Sequence, residues 1–258
     1  MRRVFASVLL ALYAASAFGI EVVARVIPVV GSTPGNFGSF FRTGLQLRNG
    51  GGATLTGRFV FHPSGGSAQA GDPSLPFSIQ SDETVAWPDV VDAMGITGLG
   101  TLDMMLPPSS SSPVVVSRVY NDAGADGTSG FTEDAVDPAQ RGSGSPVMTG
   151  GTTGILLAPA DLTRFRFNIG VRTLSSGAGC TIWVRDADGT TVHAMVKSFD
   201  PNFFEQTSAD EFAGVALSEN QSIEITVDRG SLIVYGATTD NTTNDPSFQY
   251  ARVVTRFN

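Results

Sequence analysis

The sequence predicts an all-β protein made of two β-sandwich domains in tandem, each with one short helix. Apolar or small side chains alternate with polar ones along Phe41–Arg48, which is the period of a half-buried strand. The same pattern, Phe-Arg-x-x-Leu/Ile-x-Leu/Val-Arg, occurs again at Phe165–Arg172, 124 residues later. The 30 Gly and 14 Pro among 258 residues supply the turns that such a chain needs.

Each of these two signature strands has a predicted core face and a predicted solvent face. Leu45 and Ile169 fall in the apolar phase, whereas Gln46 and Arg172 fall in the polar phase. We therefore expect truncation of Leu45 or Ile169 to destabilise the fold, and truncation of Gln46 or Arg172 to have little effect.

Residues 1–19 predict a signal peptide. Arg2 and Arg3 precede an apolar run, Val4–Ala14, which leads to an Ala15-Ser16-Ala17 cleavage pattern, with Ala17-Phe18-Gly19 as a competing site. The alternative, a membrane anchor, needs about 20 apolar residues, and this run is shorter. We expect a secreted, periplasmic or cell-surface protein with no membrane span after signal cleavage.

The charge and the single cysteine exclude some classes of protein. The formal net charge is −8, and removal of Arg2 and Arg3 would make it −10, with no basic run. Such a chain is a poor candidate for binding nucleic acid or an anionic membrane surface. Cys180 shares the strand phase of Ile182 and Val184, so we expect it to be a buried thiol.

The first sandwich is predicted to span residues 20–135. Pro88, Asp89 and Gly95 bracket a short helix, with Asp89 as its N-cap and Gly95 at its C-terminal end. The predicted strands are Glu21–Val30, Phe40–Arg48, Thr54–Phe61, Phe77–Gln80, Gly100–Leu106 and Val114–Tyr120.

Residues 136–153, which include a Gly/Ser-rich stretch, predict an exposed linker, and residues 154–258 predict the second sandwich. Asp186-Ala187-Asp188-Gly189 reads as a hairpin turn, since it lacks the later ligands of a calcium loop. A short helix is expected at Ala209–Gly214. The predicted strands are Phe165–Arg172, Cys180–Arg185, Thr190–Val196, Ser222–Val227, Ser231–Ala237 and Phe248–Arg256.

The chain resembles a loose group of exported bacterial proteins built from tandem immunoglobulin-like β-sandwiches. The similar stretches are FRTGLQLRNGGG with its echo FRFNIGV, DADGT, DVVDAMG, and SRVYND followed by DGTSGF. The resemblance implies the fold and an extracytoplasmic setting, and it implies no catalytic residue or defining activity. At Tyr235–Thr239 the second half departs from the pattern, so a role for Arg118 or Tyr120 would be confined to the first domain.

The sequence offers little for catalysis. The two histidines, His62 and His193, have no partner at a metal-binding spacing, and there is no G-x-S-x-G motif. We therefore expect a non-enzymatic protein without a cofactor.

Two loops after strongly apolar strands are the candidate binding or metal sites. The first contains Asn121, Asp122 and Asp126, and the second contains Asp240, Asn241 and Asp245. Carboxylate and amide oxygens suit calcium, but two carboxylates per loop are too few without a neighbouring loop. The competing interpretations are plain turns and loops that recognise a partner. Phe40 is a further binding candidate, because adjacent Phe40 and Phe41 cannot both face one core.

The expected function is that of an exported structural or binding module that engages another protein or the cell surface. One alternative is a carbohydrate-binding module, which would need an exposed row of Trp or Tyr. Another is an outer-membrane β-barrel, because Tyr250–Phe257 resembles an aromatic-ended closing strand.

Overall fold

The computed structural model describes residues 20–142 and 144–254, and it confirms the all-β prediction with 60% strand and 6% helix. The predicted signal peptide lies outside the described residues. The strands are β1 (Val22–Pro34), β2 (Phe40–Arg48), β3 (Leu55–Pro63), β4 (Gly66–Ser67), β5 (Ser74–Ile79), β6 (Thr84–Trp87), β7 (Gly98–Leu106), β8 (Val114–Asp122), β9 (Thr128–Asp134), β10 (Val147–Thr149), β11 (Thr153–Leu157), β12 (Phe165–Arg185), β13 (Thr191–Phe199), β14 (Phe203–Ser208), β15 (Ser222–Asp240), β16 (Pro246–Tyr250) and β17 (Arg252–Val254).

The first half is a sandwich whose two sheets share β1. One sheet has the order β5-β3-β7-β1, and the last residues of β1, Thr33 and Pro34, pair with β2 of the other sheet. That second sheet continues through β8 to β9, with β6 paired to the other edge of β2. Its core contains Leu45 and Leu47 from the signature strand, packed among Phe59, Phe61, Leu102 and Met104.

The second half is built on two long strands, β12 and β15, which pair from Phe165–Asp240 to Arg185–Ser222. Their register shifts near Gly177 and Gly230, which have φ of +62° and +76° and so accept a backbone turn that other residues resist. Residues from both sides of this shift, such as Ile169 and Ile182, belong to one core, so the strand pair bends over on itself. The remaining strands extend the two parts of this bent pair.

The two halves use the same pairing scheme around the signature strand. In the first half β2 lies between β6 and β8, and β8 pairs with β9. In the second half the first part of β12 lies between β14 and the last part of β15, and that part of β15 pairs with β16. This scheme makes Gln46 in β2 equivalent to Gly170 in β12.

A short helix or 3₁₀ turn forms at the predicted place in each half, and the described part of the first half has two further 3₁₀ turns, Asn36–Gly38 and Gly124–Asp126. A 3₁₀ turn, Asp92–Met94, follows Asp89, whose carboxylate accepts hydrogen bonds from the backbone N–H groups of Val91 and Asp92. Helix α1, Ala209–Ala213, is capped by Ser208, whose hydroxyl accepts from Glu211 N–H at 3.2 Å. Both turns thus satisfy backbone donors that a helix start leaves unpaired.

The segment predicted as a linker, residues 136–153, is largely built into the fold. Val136 pairs with Val26 of β1, and β10 within this segment pairs with β15. Val136, Val147 and Met148 are buried. The segment is therefore packed against both halves and is not an exposed linker. Its Gly and Ser residues favour a linker, but three apolar side chains among them are buried.

Other expectations concern single residues. Cys180 is buried as predicted, and burial raises the pKa of its thiol to about 11. Gln46 is exposed, as predicted for the solvent face. Arg172 does lie on the outer face of its sandwich, but that face is covered by the first sandwich and only 1% of the residue is exposed. The prediction that Arg172 faces solvent is therefore wrong, and we expect its truncation to be costly. No helix among the residues described is both long and apolar enough to cross a bilayer.

Candidate functional site

The candidate site is the outer face of the four strands β6, β2, β8 and β9, which we call the outer groove. Cross-strand pairing places Ala86, Gln46 and Val116 in one row, and Gly44, Arg118 and Thr132 in the next. Gly44 has no side chain, so the face is hollow at this point. The groove has a volume of about 450 Å³.

Arg118 and Tyr120 dominate the chemistry of the outer groove. The Arg118 guanidinium stacks over the Tyr120 ring at 5.1 Å from its centroid, and its Nη2 donates to Thr128 Oγ1 at 3.3 Å. Tyr120 donates its hydroxyl hydrogen to the Pro88 carbonyl at 3.0 Å, which holds the ring in place. No carboxylate of the described residues forms an ion pair with Arg118. The groove therefore presents a positioned cation in a chain of net charge −8.

Arg42 organises one end of the outer groove. Its guanidinium forms ion pairs with Asp89 at 2.9 Å and with Asp122 at 2.8 Å, and it lies 4.8 Å from the centroid of the Phe40 ring. Asn121 Oδ1 accepts from the Phe40 N–H at 3.0 Å. A hydrogen bond from the Gly124 N–H and then Arg42 lower the pKa of Asp122. Three of the predicted binding residues thus hold the loop to its strand.

The second predicted loop is also internally bonded. Asp240 accepts backbone N–H groups of Thr243 and Thr242 and pairs with Arg164 at 2.9 Å, and these contacts lower its pKa to about 2. Asn241 accepts from Arg166 at 3.3 Å. Strands β8 and β15 place the two loops at the same end of their sandwiches, beside Phe41 and Phe165 respectively.

The turn between β1 and β2 contacts the second loop. Asn244 of the second loop donates to the Phe37 carbonyl at 3.0 Å, and the Arg166 guanidinium lies 5.5 Å from the Phe37 ring centroid. Asp126 and Asp245 have exposed side chains. Within residues 20–142 and 144–254 no three His, Cys, Asp or Glu side chains assemble into a group that could hold a metal ion. Calcium binding by Asp122, Asp126, Asp240 and Asp245 thus stays a prediction without a structural argument in its favour.

The equivalent face of the second sandwich is an interface inside the protein. There Gly170 lies between Gln206 and Tyr235, and Tyr235 pairs with Tyr250. Tyr235 is fully buried in a cluster with Val29 and Val119 of the first sandwich. Phe248 of the same face stacks on Phe131 at 5.1 Å between ring centroids. One copy of this face is therefore covered by protein, whereas the other copy is open.

Glu133 is a buried acid at this interface that sequence reasoning missed. It is 2% exposed, and neither carboxylate oxygen has a hydrogen-bond partner among the described residues. Burial raises the pKa of Glu133 well above 4.5, and the nearby charge of Asp134 raises it further. The backbone of Val29 lowers the pKa, although it is not placed to form a hydrogen bond with the carboxylate. A groove of about 950 Å³, lined by residues 132–137 and 248–253, runs along the same interface.

We expect the variant Glu133→Gln to be more stable than the wild type at pH 8 and no more stable at pH 4. The folded state holds the Glu133 proton to a higher pH than the unfolded chain does, so stability is lost as pH rises from about 4.3 towards the raised pKa. The gain at pH 8 should be on the order of 1–3 kcal/mol, because each unit by which burial raises the pKa destabilises the ionised wild type by about 1.4 kcal/mol. Urea unfolding at both pH values measures it, with the exposed Glu219→Gln as control. Equal pH dependence in the wild type and Glu133→Gln would contradict the prediction.

A buried ion pair joins Asp103 of β7 to Arg172 of β12 at 2.8 Å, and a charged residue within an apolar strand was the signal that could have revealed it. Asp103 stands between Leu102 and Met104 of β7, two side chains that belong to the core of the first sandwich. In the sequence alone, Asp103 could equally have faced solvent. Its partner Arg172 lies in the other half of the chain, so no local pattern joins them.

Comparison of the chain with protein-family models, with curated proteins and with solved structures finds no match. A functional proposal for this chain therefore depends on the residues of the outer groove alone.

Proposed function

We propose that this protein is an exported, non-enzymatic binding module that engages another protein at the outer groove of its first sandwich. The main support for this proposal is that the outer face of the second sandwich is covered by protein, whereas the equivalent face of the first sandwich is exposed. The face around Gly170 and Tyr235 binds protein within the chain, and the equivalent face around Gln46 and Arg118 is open. The proposal that the chain is exported rests on the pattern of residues 1–19.

The side chains of the outer groove favour a protein partner with an acidic or carboxylate-bearing surface. Arg and Tyr are the residue types that most often dominate binding energy at protein interfaces, and Arg118 stacked on Tyr120 loses little freedom on binding. The covered face carries aromatic side chains such as Tyr235 and Phe248, whereas the open face carries Gln46, Arg118 and Thr132. A polar partner thus fits the outer groove better than a second apolar sandwich face does.

The carbohydrate-binding alternative lacks the exposed aromatic row that it needs. Trp87 packs edge-on against Phe59 at 5.5 Å, and Tyr235 is fully buried. In the part of the chain that the structure describes, no Trp or Tyr is exposed. The structure thus offers no specific observation in favour of this second function.

Site-specific photo-crosslinking tests the proposal. A photoreactive residue at Gln46 or at Thr132 should crosslink the mature protein to the same species in the envelope or extracellular fraction of the organism that encodes it. Both products should disappear in the Arg118→Ala background, because the guanidinium anchors the partner. The control position is Ala194, which is exposed on β13 of the other sandwich. No crosslink, or equal crosslinks from Ala194, would contradict a binding role for the outer groove.

A further inference from the structure

A buried cluster of four charged or titratable side chains joins the two sandwiches. His62 in β3 contacts Asp72 through Nδ1 at 2.6 Å and Asp103 through Nε2 at 3.1 Å. Asp103 in β7 also accepts two hydrogen bonds from Arg172 Nη2, at 2.8 and 3.0 Å. Arg172 belongs to β12 of the second sandwich, and no side chain in the cluster is more than 8% exposed. The imidazole therefore lies between two carboxylates in an interface that excludes water.

The cluster lies beside the segment that ties the first sandwich to the second, residues 64–72. Within it β4 adds to the edge of β14, with Gly65 N–H donating to the Phe204 carbonyl at 2.8 Å. Ala68 N–H donates to the Asn202 carbonyl at 2.9 Å. Asp72, at the end of the segment, is held by His62 and by the Gln69 N–H at 2.8 Å. Loss of the Asp72–His62 contact would therefore loosen the end of this strand addition.

The protonation of His62 decides whether every contact in the cluster is made. The imidazolium donates through both ring nitrogens and, with Arg172, balances the charges of Asp72 and Asp103. Neutral imidazole donates through one nitrogen only, so one carboxylate then faces a lone pair and the buried cluster carries a net negative charge. An uncompensated buried charge is strongly unfavourable.

The charged groups that act on His62 come from three elements. Burial lowers the pKa of His62, Asp103 from β7 and Asp72 from the segment after β4 raise it, and Arg172 from β12 lowers it. The net direction is upward from 6.5, so the folded protein keeps His62 charged to a higher pH than the unfolded chain does. Burial raises the pKa of Asp103, but His62 and Arg172 together lower it below its ordinary value. The two shifts thus favour a protonated His62 beside an ionised Asp103.

We propose that His62 is a pH-sensitive latch, which when protonated fixes residues 64–72 to the second sandwich and when deprotonated releases them. The stabilisation is fully present below about pH 6.5, where the unfolded histidine is also protonated, and it is lost as pH rises through the raised pKa of the folded state. Release of β4 uncovers the edge of β14, whose backbone groups can then pair with another strand. The latch is independent of the outer groove, since the two share no residue.

Hydrogen exchange of the full mature protein between pH 5.5 and 9 tests the latch. After correction for the intrinsic exchange rate, the protection of the Gly65 and Ala68 amides should fall above the His62 midpoint, by about tenfold for each unit by which the measured midpoint exceeds 6.5. The Gly151 amide, which donates to Val227 within the second sandwich, should keep its protection. The imidazole should titrate above 6.5 in the NMR spectrum.

Two variants separate the latch from general destabilisation. In His62→Gln, protection of Gly65 and Ala68 should be low at every pH. Asp72→Asn keeps the histidine but removes one carboxylate, so the His62 midpoint and the pH of release should both move down. All measurements are repeated in the Glu133→Gln background, because Glu133 also makes stability fall with pH. Protection that stays constant while His62 titrates, or a His62 midpoint at or below 6.5, would overturn the proposal.

Discussion

Replacing Arg172 by methionine is expected to lower the free energy of unfolding by about 3–5 kcal/mol, the usual cost of breaking one partner from a buried ion pair. The guanidinium is 1% exposed and supplies both hydrogen bonds that Asp103 receives from the second sandwich. Without it, the Asp103 carboxylate stays buried with only His62 to neutralise it. Methionine has a similar length and an apolar side chain, so the loss should reflect charge more than a cavity.

Urea denaturation at pH 6 measures this effect. The matched control is Arg229→Met, because Arg229 is exposed and its side chain donates a long hydrogen bond, 3.3 Å, to Ser198. The cost of this control should stay within about 0.5 kcal/mol. In the Asp103→Asn background the cost of Arg172→Met should shrink, since the buried carboxylate is gone. Equal costs for Arg172→Met and Arg229→Met would mean that the interface between the sandwiches is not closed around this pair.

Truncating either signature strand at its core position should cost about 2–5 kcal/mol, the range for buried Leu or Ile to Ala. Leu45 is 1% exposed and Ile169 is fully buried, each in a different core. Gln46→Ala, one residue from Leu45 and exposed, is the control and should change the free energy of unfolding by no more than about 0.5 kcal/mol.

The two truncations also test whether the sandwiches unfold together. The β4–β14 pairing, the Arg172–Asp103 ion pair and the Phe131–Phe248 ring stack all join the halves. We therefore expect one unfolding transition that Leu45→Ala and Ile169→Ala shift alike. Differential scanning calorimetry decides this: two transitions, with each variant lowering only one of them, would make the halves independent domains.

The period of the strands allowed the fold class and the orientation of the signature strands to be predicted. Alternation identified the core positions Leu45 and Ile169, and Asp89 with Gly95 identified a capped turn, because these depend on neighbours within a few residues. The bend that joins two predicted strands into β12 could not be predicted, since Gly177 there also suits an ordinary hairpin turn.

The sequence could not reveal which outer face would be covered. Alternation shows that Arg172 points away from its own core, but whether solvent or another sandwich lies there depends on residues far along the chain. For the same reason no local pattern marked Glu133 or His62 as buried. The candidate loops were found correctly as Asp- and Asn-rich turns, yet the roles of Asp122 and Asp240 as partners of Arg42 and Arg164 depend on cross-strand pairing that the sequence does not specify.

The long paired strands β12 and β15 have a consequence for the order of folding. Pairing at Arg185 and Ser222 closes the shortest loop between them, and pairing at Phe165 and Asp240 closes the longest. Because the entropy lost on loop closure grows with loop length, we expect β12 and β15 to pair first at Arg185 and Ser222. Pairing then extends through the bend towards Phe165. The β4–β14 pairing joins residues still farther apart in the chain, so the two sandwiches should dock last, after the surface that receives β4 has formed.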